Sequence, residues 1–126
     1  VELLVEKKAQ KVQLHAFDGK FGAAMPAVDA GFFFSVPPSI VRSRQKQKLV
    51  RSLPLSCLLI ETDSPVLGPD ANERNEPANA VVCLEQIAQI KHISQQAAAA
   101  AIYENTCRLY GHSINAKPNA DKTEPE

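Results

Sequence analysis

No stretch of this 126-residue sequence approaches the roughly 18 consecutive apolar residues of a membrane-spanning helix. The start, Val1-Glu2-Leu3-Leu4-Val5-Glu6-Lys7-Lys8, has neither the layout nor the cleavage site of a secretion signal. It also lacks an initiating methionine and reads as the last turns of a helix already under way, so a cut or partial chain is expected. Cysteine is scarce: positions 57, 83 and 107 form an odd set without Cys-x-x-Cys spacing. That argues against a disulfide scaffold and a zinc knuckle. Each cysteine lies in apolar surroundings, so buried thiols in a reducing compartment are expected, in the cytoplasm first, with the nucleus also open. The formal net charge is zero, which argues against wrapping nucleic acid by charge alone. There is no glycine-rich phosphate loop, no Ser-His-Asp order and no redox motif; Gly19 and Gly22 mark a turn.

The zero net charge hides an asymmetry. Residues 1–53 hold nine Lys and Arg against four Asp and Glu, and residues 54–126 hold five against ten. A local phosphate-facing patch in the first half is compatible with this balance. The length gives room for one small domain.

Along the chain, residues 1–9 suit a helix end and 12–17 a short strand. Asp18-Gly19 signals a turn. A short helix over 20–30 is limited by Pro26 to one or two turns. Phe32-Phe33-Phe34-Ser35-Val36 is apolar without alternation, as in a strand covered on both faces. After Pro37-Pro38, Ser39 is expected to cap a helix over 40–52. Residues 56–62 form the third strand and 64–78 a long loop. Asn79 is expected to cap a helix over 80–91, with Val81, Leu84, Ile87 and Ala88 along one side. Ser94 caps a last helix running to Tyr110, closed by Gly111. From Ser113 polar residues dominate, and the tail is expected to be disordered.

Strands alternating with helices imply parallel pairing by crossover, hence an α/β fold. Three parallel strands leave two open edges and are hard to stabilise alone. A segment of something larger, a barrel, is therefore expected. A small three-layer sandwich is the alternative.

Two apolar runs end on chemistry-bearing residues: residues 12–14 on His15, and Leu58-Leu59-Ile60 on Glu61-Thr62-Asp63. Glu61 and Asp63 are two apart and so face one side of an extended strand. A carboxylate pair at the mouth of a buried sheet needs positive compensation, from a divalent cation or from nearby Arg or Lys. His15 taken alone reads first as a histidine satisfied by a backbone carbonyl. Their strand-end positions suit metal ligands, which in α/β barrels come from the carboxyl ends of several strands. Imidazole with carboxylate suits zinc, manganese or a similar ion. A hydrolytic site needs three or four protein ligands, however, and His92 and His112 are not on strand ends and are expected at the surface. Arg42, Arg44, Lys46, Lys48 and Arg51 read either as a solvated helix face or as phosphate contacts. Ser39 and Arg42 stand beside a strand's carboxyl end, and Arg74 and Asn75 in the long loop are placed to reach a substrate.

Several segments together resemble the C-terminal half of a TatD-type deoxyribonuclease, with the vertebrate branch most alike. They are His15-Ala16-Phe17-Asp18-Gly19, Gly31-Phe32-Phe33-Phe34-Ser35, Pro37-Pro38-Ser39-Ile40, Glu61-Thr62-Asp63-Ser64-Pro65, Asn75-Glu76-Pro77-Ala78-Asn79, Ile87-Ala88-Gln89-Ile90-Lys91 and Asn105. The resemblance covers residues 1 to about 110. It implies a partial TIM barrel, the last three strands and helices of a (β/α)8 metallo-dependent hydrolase fold, in residues 1–111, with 112–126 as a disordered tail. It implies His15 and Asp63 as metal ligands, Asp63 as the catalytic group acting on water, and Glu61 as a supporting acid. One or two divalent ions (zinc, manganese or magnesium) and DNA as substrate follow for the complete enzyme, with oligomeric state open. The family's metal ligands on strands one, four and five have no counterpart in this sequence. Little or no activity is therefore expected of the chain alone. The rival reading is a non-catalytic product that binds a partner through an open sheet edge.

Overall fold

The computed structural model describes residues 1–111; the expected disordered tail and His112 lie outside the described residues. Helix α1 (Glu2–Glu6) leads into β1 (Gln13–His15), α2 (Phe21–Asp29) and β2 (Phe33–Val36). A 3-10 turn (Pro38–Val41), α3 (Arg44–Ser52), a second 3-10 turn (Leu55–Cys57) and β3 (Leu58–Ile60) follow. A long loop and a third 3-10 turn (Pro77–Asn79) then lead to α4 (Ala80–Lys91) and α5 (Gln95–Tyr110).

The strands form one parallel sheet in the order β1-β2-β3, as the strand–helix alternation predicts. Register places Leu14, Phe34 and Leu58 in one row and His15, Ser35 and Leu59 in the next. The first row faces the main core, built with Ala24 and Ala27 of α2, Leu49 and Val50 of α3, Ile87 of α4 and Ile102 of α5. Ala24 and Ala27 are completely buried, and their small side chains let α2 lie close to the sheet. On the other face Phe33 and Leu59 pack against Leu109. Every residue of β2 is buried, as expected for a central strand covered on both sides. The open edges do not spill apolar side chains: the large exposed hydrophobics, among them Met25, Val66, Val81 and Tyr103, include no strand residue. No helix among the described residues is long and apolar enough to cross a membrane.

Four local expectations change. Helix α2 continues past Pro26 for nine residues in all, because Pro26 forfeits one backbone bond while burial of Ala24 and Ala27 holds the helix on both sides of it. Ser39 does not cap α3. Pro37-Pro38 first close a 3-10 turn, and Ser43, in extended backbone, supplies the cap, its Oγ accepting from the Lys46 amide at 3.2 Å. Asn79 makes no side-chain cap bond on α4, because the 3-10 turn before it leaves its backbone helical (φ −71°, ψ −3°) instead of extended; its Nδ2 donates to Asn75 Oδ1 at 2.9 Å. The buried line on α4 is Cys83, Ile87 and Ala88, whereas Val81 is exposed. Ser94 caps α5 as expected, accepting from the Ala97 amide at 3.0 Å.

Candidate metal centre

His15 is the last residue of β1, and Glu61 and Asp63 follow β3, so all three stand at the carboxyl end of the parallel sheet. The backbone turns sharply at this edge. Ala16 and Asp63 both take left-handed conformations, with φ of 46° and 54°. Aspartate tolerates that region, whereas for alanine it costs about 1–2 kcal/mol. Strain of this kind concentrates where a structure over-determines a functional position.

The imidazole of His15 lies between the two carboxylates. Nδ1 meets Glu61 Oε2 in close contact, and Nε2 stands 3.3 Å from Asp63 Oδ1. Glu61 Oε2 also accepts from Ser35 Oγ at 2.5 Å. The two acids differ in setting. The Glu61 side chain is only 7% exposed, while that of Asp63 is 37% exposed and open to water. Burial pushes the Glu61 carboxyl above its ordinary range; Ser35, the His15 charge and the Ala16 amide pull it down, and Asp63 adds a small push upward. Glu61 Oε1 is buried without a hydrogen-bond partner among the described residues.

Two adjacent ligands of a tetrahedral ion with bonds of about 2.1 Å sit roughly 3.4 Å apart. The His15 Nε2 to Asp63 Oδ1 separation of 3.3 Å fits that spacing. Glu61 sits on the opposite ring nitrogen, in the place of the carboxylate that orients a metal-binding histidine. All three side chains cannot share one ion in this arrangement, and no group of three or more possible ligands converges among the described residues. The residues present therefore fit one divalent ion through two ligands, with a supporting acid behind the histidine.

The other site residues expected from sequence divide. Arg74 is exposed beside an open cleft of about 520 Å³ that it lines with Ser64, Pro65 and Glu76. Arg42 is exposed, but its Nε donates to the Gly68 carbonyl at 3.0 Å and ties down the long loop. Ser39 and Asn75 are buried, 3% and 2% exposed, and Asn75 also lines the Arg74 cleft. Asn75 is the hub of the loop: its Nδ2 donates to the carbonyls of Thr62 at 2.6 Å and Val66 at 2.8 Å. His92 is exposed at the left-handed end of α4, as expected of a surface histidine. Sequence reasoning missed Ser35, whose only signal was a single hydroxyl inside an otherwise apolar run.

The family profile described as TatD related DNase matches residues 1–111. Among similar curated proteins, deoxyribonuclease TATDN3 of Homo sapiens is 52% identical over 110 residues, covering 87% of this chain and 40% of that protein. An uncharacterized metal-dependent hydrolase of Methanocaldococcus jannaschii is 33% identical over 106 residues, covering 84% of this chain and 43% of that protein. The crystal structure of the TatD homologue YJJV of Escherichia coli superimposes with a TM-score of 0.77 at 25% identity, over 86% of this chain and 44% of that one. The chain thus spans well under half the length of these relatives, but the profile covers almost all of it, and the chain belongs to the TatD related DNase family.

Proposed function

We propose that residues 1–111 are the C-terminal part of a TIM-barrel hydrolase that cleaves phosphodiester bonds of DNA with the help of divalent metal. The observation that carries this reading is the clasp of His15 between Glu61 and Asp63 at the carboxyl end of a parallel sheet. Relatives named as deoxyribonucleases and metal-dependent hydrolases support it.

His15 and Asp63 would hold one ion, zinc, manganese or magnesium, with further ligands and any second ion coming from beyond these residues. When bound, such an ion supplies a Lewis acid that makes water acidic and draws charge from the phosphoryl oxygens. The Glu61 carboxylate accepts the Nδ1 proton of His15 and so leaves the Nε2 lone pair directed to the Asp63 side. Asp63, the more exposed acid, takes the proton of the attacking water. Its exposure lets water and a phosphodiester reach it, while Glu61 stays buried and acts through His15. Arg74, in the long loop, stands where it can meet a strand phosphate. The three free thiols fit action in the cytoplasm or nucleus.

The test is DNA cleavage by the complete protein carrying Asp63→Asn, which keeps size and removes the base. A loss of about 100-fold or more in kcat is expected. Undiminished cleavage would overturn the assignment.

A further inference from the structure

A cleft of about 460 Å³ opens between the start of α2 and one face of α3, a size within the roughly 300–1,000 Å³ of small-molecule sites. Gly19, Lys20 and Phe21 form one wall. Gln45, Lys48, Leu49 and Ser52 form the other, and their spacing of three, four and seven residues puts them on a single helix face. The walls are fastened at one end. Gln45 Nε2 donates to the Asp18 carbonyl at 3.1 Å, and Lys46 Nζ pairs with the Asp18 carboxylate at 3.3 Å.

That fastening decides the charge of the cleft. Asp18 immediately precedes the lining in sequence, and it is paired with Lys46. No lining residue is acidic, and no Asp or Glu occurs anywhere from residue 30 to residue 60. Lys20 and Lys48 are exposed, and neither meets a carboxylate among the described residues. The cleft therefore offers two ammonium groups, a carboxamide and a hydroxyl, with the Phe21 ring on one wall and Leu49 on the other. Its position matters too. Gly19 lies four residues beyond His15, and Gln45 lies in the first turn of α3, shortly after the carboxyl end of β2, so the Gly19–Gln45 end of the cleft lies toward the end of the sheet that carries His15 and Asp63.

Resting on the nuclease reading above, we propose that this cleft is an accessory nucleotide subsite. It holds one nucleotide of a single DNA strand that flanks the bond at the metal centre. Lys20 and Lys48 take the phosphates, and the base lies between the Phe21 ring and Leu49. Base contact with an aromatic ring is tolerant of sequence, and strand binding through lysine is strongly salt-dependent.

The test is binding, which needs no cleavage. Fluorescence anisotropy of a phosphorothioate oligothymidylate is followed with the 126-residue chain at several salt concentrations. Lys20→Glu with Lys48→Glu is expected to weaken binding at least tenfold. The slope of log affinity against log salt should shrink by about 1.4, or roughly 0.7 for each lost phosphate contact. Lys20→Gln with Lys48→Gln should shrink it likewise, which separates charge loss from repulsion. Lys7→Glu with Lys8→Glu makes the same charge change before β1, outside the cleft lining, and should alter affinity less than twofold. Equal losses in the two glutamate pairs would overturn the proposal, as would displacement of the oligonucleotide by pyrophosphate as readily as by thymidine diphosphate. Failure of the nuclease reading looks different: Asp63→Asn would then leave cleavage unaltered, whatever the lysine variants do to binding.

Discussion

The side-chain amide of Asn75 donates to the Thr62 carbonyl at 2.6 Å, one residue before Asp63. The same nitrogen reaches the Val66 carbonyl at 2.8 Å, so a single amide bridges the chain on both sides of Asp63-Ser64-Pro65. The Asn75 backbone N–H adds a bond to the Pro65 carbonyl at 2.9 Å, and Asn79 holds the far side of the amide. Asp63 sits in left-handed backbone at the centre of this clamp. The geometry of the exposed acid is thus set by a buried neighbour that never touches it. Gly68 fits the same clamp, because a Cβ there would come within 3.0 Å of the Asn75 Cβ.

Asn75→Ala should cost about 2–4 kcal/mol, since it leaves two carbonyls of a buried clamp without their donor. Urea unfolding of the parent and variant reads this directly. Asn75→Asp keeps the shape, removes the donor and sets a carboxylate against two carbonyls, so an equal or larger loss is expected. A loss under about 0.5 kcal/mol in both variants would show that the clamp does not hold the loop.

Glu61→Gln separates stability from metal binding. The buried carboxyl is pushed up chiefly by burial, so a neutral amide relieves a cost of folding at neutral pH. The variant should unfold at the same or a higher urea concentration. It also replaces the carboxylate behind His15 with an amide, and metal affinity should drop about 10–100-fold. Calorimetric titration of the complete protein with zinc or manganese measures it. Unchanged affinity would remove Glu61 from the metal centre.

What was legible in the sequence followed from chain-local physics. The apolar run Leu58-Leu59-Ile60 that stops at Glu61 marks a strand end, because a buried parallel strand has no other place for charge; β1, with Gln13 in it, is only half-buried. The order of elements gave the parallel sheet for the same reason. Ser39 misled because two serines follow the same proline pair, and only backbone geometry shows that a 3-10 turn consumes the first. Asn75 misled differently. A loop asparagine reads as a polar surface residue, and its burial arises only when residues 9 and 13 positions away fold back onto it. Ser35 was hidden because its partner Glu61 is 26 residues distant. Long-range polar pairing leaves no periodic trace.

Lys91 links the ends of two helices. Its ammonium donates to the Leu53 carbonyl in a short contact and to that of Arg51 at 3.2 Å, satisfying carbonyls at the end of α3. Lys91→Met should therefore cost about 1–2 kcal/mol in urea unfolding at pH 7. Burial lowers the pKa of this amine, and the charge of Cys57 opposes that only in part. The unfolded chain thus keeps the proton to higher pH than the folded one. This group's contribution to stability rises as pH climbs through the folded pKa toward the ordinary lysine value of 10.5. The methionine variant should lose that rising component; a parallel pH profile in both proteins would contradict the assignment.

The thiols give the opposite sign. Burial pushes Cys57 up to about 11 and Cys83 up to about 12 from an ordinary 9.0, with the Lys91 charge resisting the rise at Cys57. Between pH 9 and 11 the unfolded chain has released protons that the folded chain still holds, so these two groups make stability fall as pH rises. The same shift governs reactivity, because the thiolate is the nucleophile. At pH 8, Cys57 and Cys83 should react with an aromatic disulfide reagent about 100-fold more slowly than an ordinary thiol. Cys107, which is partly exposed, should react first. All three should react together once urea unfolds the chain. Fast labelling of Cys83 in the folded protein would mean that α4 does not stay closed over Glu61, whose carbonyl the Cys83 thiol meets at 3.4 Å. The support behind His15 would then open with it.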